Sequence, residues 1–180
     1  MKTTTTYEER ARKFALILVK LFANCYTLRE FESAIREYNY THKRKLKYAN
    51  GVSRIAIIRA DYVIKFDMKP FEYFECAGNC ASEQLVYEKA CADGYEYLLA
   101  KTSVYTLHGM TFSIMPRINH VGDGDRSWYN YVTDDEYAWL ADNVNDLHQG
   151  NVGYLHGKVC VIDYAWARNN NGTTSDVFSD

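Results

Sequence analysis

The sequence predicts an α+β fold, on three observations. Three Thr-x-x-Glu pairs each open a stretch whose apolar residues recur at helical spacing. Other runs are rich in Ile, Val, Tyr and Phe and are bounded by turn residues, as strands are. The segments are also grouped: helices, antiparallel strands with one helix inserted, a helix, then a polar loop and a hairpin.

The first helix is predicted over residues 6–26. Thr6 and Glu9 form its capping box, and Phe14, Leu18, Leu21 and Cys25 share a face. Thr27 and Glu30 open a second helix, with Leu28, Phe31, Ile35 and Tyr38 at helical spacing. The basic run KRKLK (43–47) reads first as a solvated linker and second as a phosphate-binding patch. Two strands follow, Ile55–Arg59 and Tyr62–Phe66, joined at Ala60-Asp61. Residues 80–92 read as a helix. Residues 95–118 hold further strands, with a turn at His108-Gly109. Residues 122–127 form a loop, and Thr133 with Glu136 caps a last helix whose face carries Tyr137, Leu140, Ala141 and Val144. Val152–Leu155 and Lys158–Ile162 then pair around His156-Gly157, and 169–180 is a polar tail.

A chain of 180 residues is long enough for a real core, and a net charge of −2 does not support a general nucleic-acid binder. The 16 tyrosines read as amphipathic surface and core aromatics, and the tryptophans as core or interface anchors. The apolar stretch 14–26 is broken by Lys20 and too short to span a bilayer. With no signal peptide visible, the five cysteines are expected as reduced thiols in a cytoplasm. Cys76 and Cys80 lack the second pair that a zinc site needs.

The chemistry concentrates in DLHQGNVGYLHGKVCVIDYA (146–165). Pairing around His156-Gly157 brings Asn151 and Asp163 to the same end of a hairpin. A carboxylate and an amide oxygen together suit Mg²⁺, which keeps waters and shares a nucleotide's phosphates. Asp146, at the end of the preceding helix, can face that point as a base accepting a proton from an attacking hydroxyl. His148 is expected to organise the loop by a hydrogen bond. Asp163 as a mere hairpin cap is the plainer alternative.

Asp146-Leu147-His148-Gln149-Gly150-Asn151, with Asp163 twelve residues on, resembles the catalytic loop and metal-binding Asp of the protein-kinase-like superfamily. The local form is closest to the D-L-H-x-G-N loop of aminoglycoside and choline kinases, and resembles short kinase-like proteins encoded by bacteriophages. Lys65, in Tyr62-Val63-Ile64-Lys65-Phe66, resembles the strand lysine that meets the α- and β-phosphates of ATP. Glu83, or failing it Glu88, stands where the family has a helical glutamate to hold that lysine. FSIMPR (112–117) resembles the strand and hinge that carry adenine, at Met115–Arg117. Gly51, Ser53 and Arg54 stand where the phosphate loop would be, with one glycine instead of several. No histidine stands two residues before Asp146, and the metal-binding triplet is Asp163-Tyr164-Ala165.

The resemblance implies a minimal two-lobed kinase-like fold: a helical extension over 1–47, an N-lobe with an antiparallel sheet over 48–117, and a truncated helical C-lobe over 118–180, one structural domain overall. It implies an ATP- and Mg²⁺-dependent phosphotransferase acting on a bacterial host protein or on itself. The 17 residues after Asp163 leave little for a substrate platform, so a kinase-like protein that binds a host partner without catalysis is the alternative. An unrelated α+β domain is a third. Neither nucleic acid nor membrane is expected as a partner.

Overall fold

The structure, a computed structural model, describes residues 6–51, 53–68, 80–120, 127–144 and 147–164. Cys76, residues 122–126, Trp166 and the polar tail lie outside them. The fold is α+β, with four α-helices and two antiparallel sheets among the described residues. The chain divides into two compact units, residues 1–76 with 103–117, and residues 77–102 with 118–180.

In the first unit, helices α1 (Tyr7–Leu21) and α2 (Leu28–Thr41) both start at their expected capping boxes, each Thr hydroxyl accepting from the glutamate N–H and each carboxylate answering the Thr N–H. Helix α1 ends earlier than its apolar pattern suggests. Phe22 caps it, and its ring packs on Phe31 and Phe66 at 4.9 and 5.3 Å. That contact, with the extended backbone Thr27 needs as a cap, forces the chain to reverse, so Cys25 falls beyond the helix. Strands β1 (Lys47–Asn50), β2 (Arg54–Ile58), β3 (Tyr62–Asp67), β4 (Ser103–Leu107) and β5 (Met110–Pro116) form one sheet in the order β1-β2-β3-β5-β4. Alternation decides its faces. Ile55, Ile57, Ile64, Phe66, Phe112 and Ile114 join Leu18, Phe22, Phe31 and Ile35 in one core, so the residues between them point the other way.

In the second unit, helix α3 (Cys80–Asp93) stops at Gly94, whose φ of 83° suits glycine. The Tyr95 N–H closes back on the Ala90 carbonyl at 2.8 Å, a Schellman-type end. Residues 96–98, expected as strand, form a 3-10 turn instead. Tyr97 and the preceding Tyr95 are claimed by tertiary partners: Tyr95 stacks on Trp139, and the Tyr97 hydroxyl donates to Glu136. Helix α4 (Asp134–Asn143) starts at the Thr133/Glu136 box. It buries Trp139, Leu140 and Asn143 while Tyr137 stays exposed, a rotation of the expected face. The Trp139 indole N–H donates to Asp93 at 2.8 Å, which draws the larger ring inward. Strands β6 (Asn119–His120), β7 (Val152–Leu155) and β8 (Lys158–Val161) form the small sheet in that order. No helix among the described residues is long and apolar enough to cross a membrane.

Candidate functional site

Lys65 sits in the middle of β3, on the face turned away from the helices. Directly opposite it on the neighbouring strands stand Ala56 and Ser113. Both are small side chains. Two residues away, Val63 and Met115 face each other in register and give the same face an apolar patch. Lys65 is 7% exposed and Met115 2%. A flat apolar patch beside an ammonium group suits a ligand with an aromatic ring at one end and an anion at the other.

The β1–β2 turn is tied down by its own backbone. The Gly51 N–H donates to the Arg54 carbonyl at 2.9 Å, and the Ser53 carbonyl accepts from the Met68 N–H at 2.9 Å. A phosphate here would therefore meet the turn's side chains before a free Gly51 amide. Arg54 and Asp67 are cross-strand partners on the Lys65 face. At the other end of the sheet the β4–β5 ladder stops at the Ser103–Ile114 pair, so no β4 residue runs beside Met115–Arg117. Arg117 turns towards the β2–β3 connection, its N–H donating to the Asp61 carbonyl and its guanidinium to the Arg59 carbonyl.

In the second unit, the hairpin brings Asn151 and Asp163 to one end. Val152 pairs with Val161, and the Ile162 N–H donates to the Asn151 carbonyl at 2.8 Å, which leaves Asp163 as the next residue out. A 3-10 turn over Gln149–Asn151 leads in. His148 organises it: its Nδ1 accepts from the Gly150 N–H at 2.9 Å, and its carbonyl accepts from the Asn151 N–H. Asp146, the expected base, and Asn145 lie outside the described residues, between Val144 at the end of α4 and Leu147.

Glu83, in the first turn of α3, is fully buried, whereas Glu88 is exposed and accepts from Gln84 at 2.7 Å. Of the two candidate carboxylates, Glu83 is the one withdrawn from water. Close to it is Tyr164, the residue after Asp163. Burial raises the Tyr164 phenol well above its usual value, and the Glu83 carboxylate raises it further. The Tyr164 hydroxyl donates to the Ala100 carbonyl and contacts the Thr102 hydroxyl at 2.8 Å. Tyr164, the residue after the metal-ligand candidate, is thus anchored through its hydroxyl.

Two features escaped sequence reasoning. Gly150 is needed because a Cβ there would stand 2.5 Å from the His148 ring, a conflict that only coordinates reveal. The role of Tyr164 depends on residues more than 60 positions upstream. No group of three His, Cys, Asp or Glu side chains converges on a metal position among the described residues. The oxygen chemistry of Asn151 and Asp163 still fits a hard cation that draws its other ligands from water and phosphate.

No family model matches the sequence, and no curated protein matches it. Among solved structures, the chain is similar to WbdD in complex with the kinase inhibitor LY294002, with a TM-score of 0.37 and 12% identity. The similarity covers 68% of this chain and 32% of that one, so the chain spans about a third of the length of the protein it matches. A likeness of that size supports no statement about chemistry.

Proposed function

We propose that the chain is a protein-kinase-like phosphotransferase that uses Mg·ATP to phosphorylate a Ser or Thr hydroxyl, on a bacterial host protein or on itself. The observation that carries this reading is Lys65. A lysine almost withdrawn from water, in mid-strand, between two small residues and beside an apolar patch, matches the phosphate-contacting strand lysine of that reading.

In this reading Lys65 meets the α- and β-phosphates and Glu83 steadies it. The β5 edge at Met115–Arg117 takes the adenine, and Gly51 and Ser53 lie near the phosphates. The Asn151 and Asp163 oxygens hold Mg²⁺, which when bound neutralises phosphate charge. Asp146 orients the attacking hydroxyl and accepts its proton as the γ-phosphoryl group passes to that oxygen and ADP leaves. The host cytoplasm is where such a protein would act.

A side-by-side assay of wild type and Asp146→Asn tests this. Wild type should label itself or a protein in a bacterial extract. The variant should lose transfer by a factor on the order of 10²–10⁴ while keeping its Mg·ATP-dependent rise in Tm. Absence of any transfer by wild type would overturn the proposal.

One observation favours a second reading, a kinase-like protein that binds and redirects a host protein without catalysis: the one glycine of the phosphate turn spends its N–H on Arg54. Under that reading Asp146→Asn leaves the effect on the host unchanged.

A further inference from the structure

We propose that the first unit carries a second anion site, a basic groove that binds a compact ligand with adjacent phosphate groups. The groove is open to solvent and has a volume of about 580 Å³. Arg10, Arg44, Lys45, Lys47, Arg59 and Arg117 line it, against the single carboxylate of Asp61. That concentration of positive charge stands in a chain whose total is −2.

Four of the six cations, Arg10, Lys45, Arg59 and Arg117, are held by contacts within the unit. Leu46 is buried, its N–H donates to the Asn39 side chain at 2.6 Å, and its carbonyl accepts from the Asn39 amide at 3.0 Å. Arg44, Lys45 and Lys47 flank that anchor, and the Lys45 ammonium is further tied to the Asn39 carbonyl. The KRKLK segment is therefore anchored at Leu46, while its four basic residues stay exposed. The Arg59 guanidinium lies 4.5 Å over the Phe14 ring, Arg117 donates to the Arg59 carbonyl at 3.2 Å, and Arg10 pairs with Asp61.

Gathering like charges costs stability through self-repulsion. A bound anion reverses that cost. Four of the six cations are arginines, whose planar forks match phosphate oxygens bidentately. The size of the groove and the negative total charge of the chain favour a compact ligand over a nucleic-acid backbone, which calls for a longer basic stripe. The groove lies at the Ile58–Tyr62 end of the sheet. The Gly51–Ser53 turn lies at the other end, roughly 15 Å away at the rise of a strand. Arg117 alone is shared with the edge assigned to adenine, so the other five cations carry the groove whether or not the chain is a kinase.

The test is calorimetric titration of the full chain with inorganic tripolyphosphate, without metal, at low and high salt. Arg44 and Lys47 are exposed, so the Arg44→Glu/Lys47→Glu variant should keep its fold, checked by circular dichroism. Wild type should bind, more weakly as salt rises. The double variant should lose at least about tenfold in affinity, and a control in two exposed bases outside the groove, Lys20→Glu/Lys101→Glu, should bind as wild type does. If the double variant misfolds, the single Arg44→Gln variant must still show a several-fold loss. Equal binding by wild type and the Arg44 variants overturns the proposal, as does an equal loss of binding in the Lys20→Glu/Lys101→Glu control. Tight binding of a short DNA duplex or an acidic peptide with no binding of tripolyphosphate also overturns it.

Discussion

Gly150 and Gly51 look equivalent in the sequence and differ in the structure. A methyl group at Gly150 meets the His148 ring at 2.5 and 2.8 Å, while one at Gly51 has the Arg54 carbonyl as its nearest neighbour, at 3.7 Å. Gly150→Ala must push the imidazole aside and break the bond from the Gly150 N–H. We expect a loss of about 1 kcal/mol in stability and a shifted His148 ring resonance. Gly51→Ala should stay within about 0.5 kcal/mol of wild type. Equal thermal shifts for the two variants would contradict this. Chemical motifs point to Asp146, Asn151 and Asp163 from the sequence alone, whereas a clash between a loop glycine and a ring two residues before it depends on coordinates.

At the scale of elements, the two hairpins use the same device. His108 and Gly109 close β4–β5 with φ of 49° and 75°, and His156 and Gly157 close β7–β8 with 52° and 79°. Both pairs are type I′ turns, whose twist matches that of paired strands. Histidine is a poor occupant of the left-handed region, and asparagine is a better one. His156→Asn should therefore be neutral or stabilising, and Gly157→Ala should cost about 1 kcal/mol, a difference in sign that denaturant unfolding would resolve. Both turns are legible in sequence because two residues decide them. The strand expected at residues 96–98 is not, because Trp139 and Glu136 capture Tyr95 and Tyr97 from another helix.

At the scale of the whole molecule, acid should unfold the chain through its helix caps. The Glu136 carboxyl is held below its usual 4.5 mainly by the Thr133 N–H, then by the Tyr97 hydroxyl, and the Glu30 carboxyl is held down by the N–H groups of Tyr26 and Thr27. A lowered folded value gives stability that is present above 4.5 and lost as pH falls through that lower value. Tm should drop below that pH, and less steeply in Glu136→Gln. The same contact pushes Tyr97 up to about 12, chiefly through its hydrogen bond to Glu136. Its share of stability is present below pH 10 and lost as pH rises through about 12. A Tm profile that is flat on the acid side would refute the capping argument.

What the sequence by itself determined is what neighbouring residues decide. All three Thr-x-x-Glu caps form, both His-Gly turns close, and the helix–strand grouping is α+β. These depend on backbone hydrogen bonds and dihedrals within a few positions of each other. Tertiary structure alone decided which face Lys65 takes, that Glu83 rather than Glu88 is buried, and that Tyr164 lies beside it. It also decided that Arg44, Lys45 and Lys47 join Arg10, Arg59 and Arg117 in one groove. The reason is physical: burial and long-range electrostatics depend on which distant segments share a core, and local patterns carry no record of that pairing.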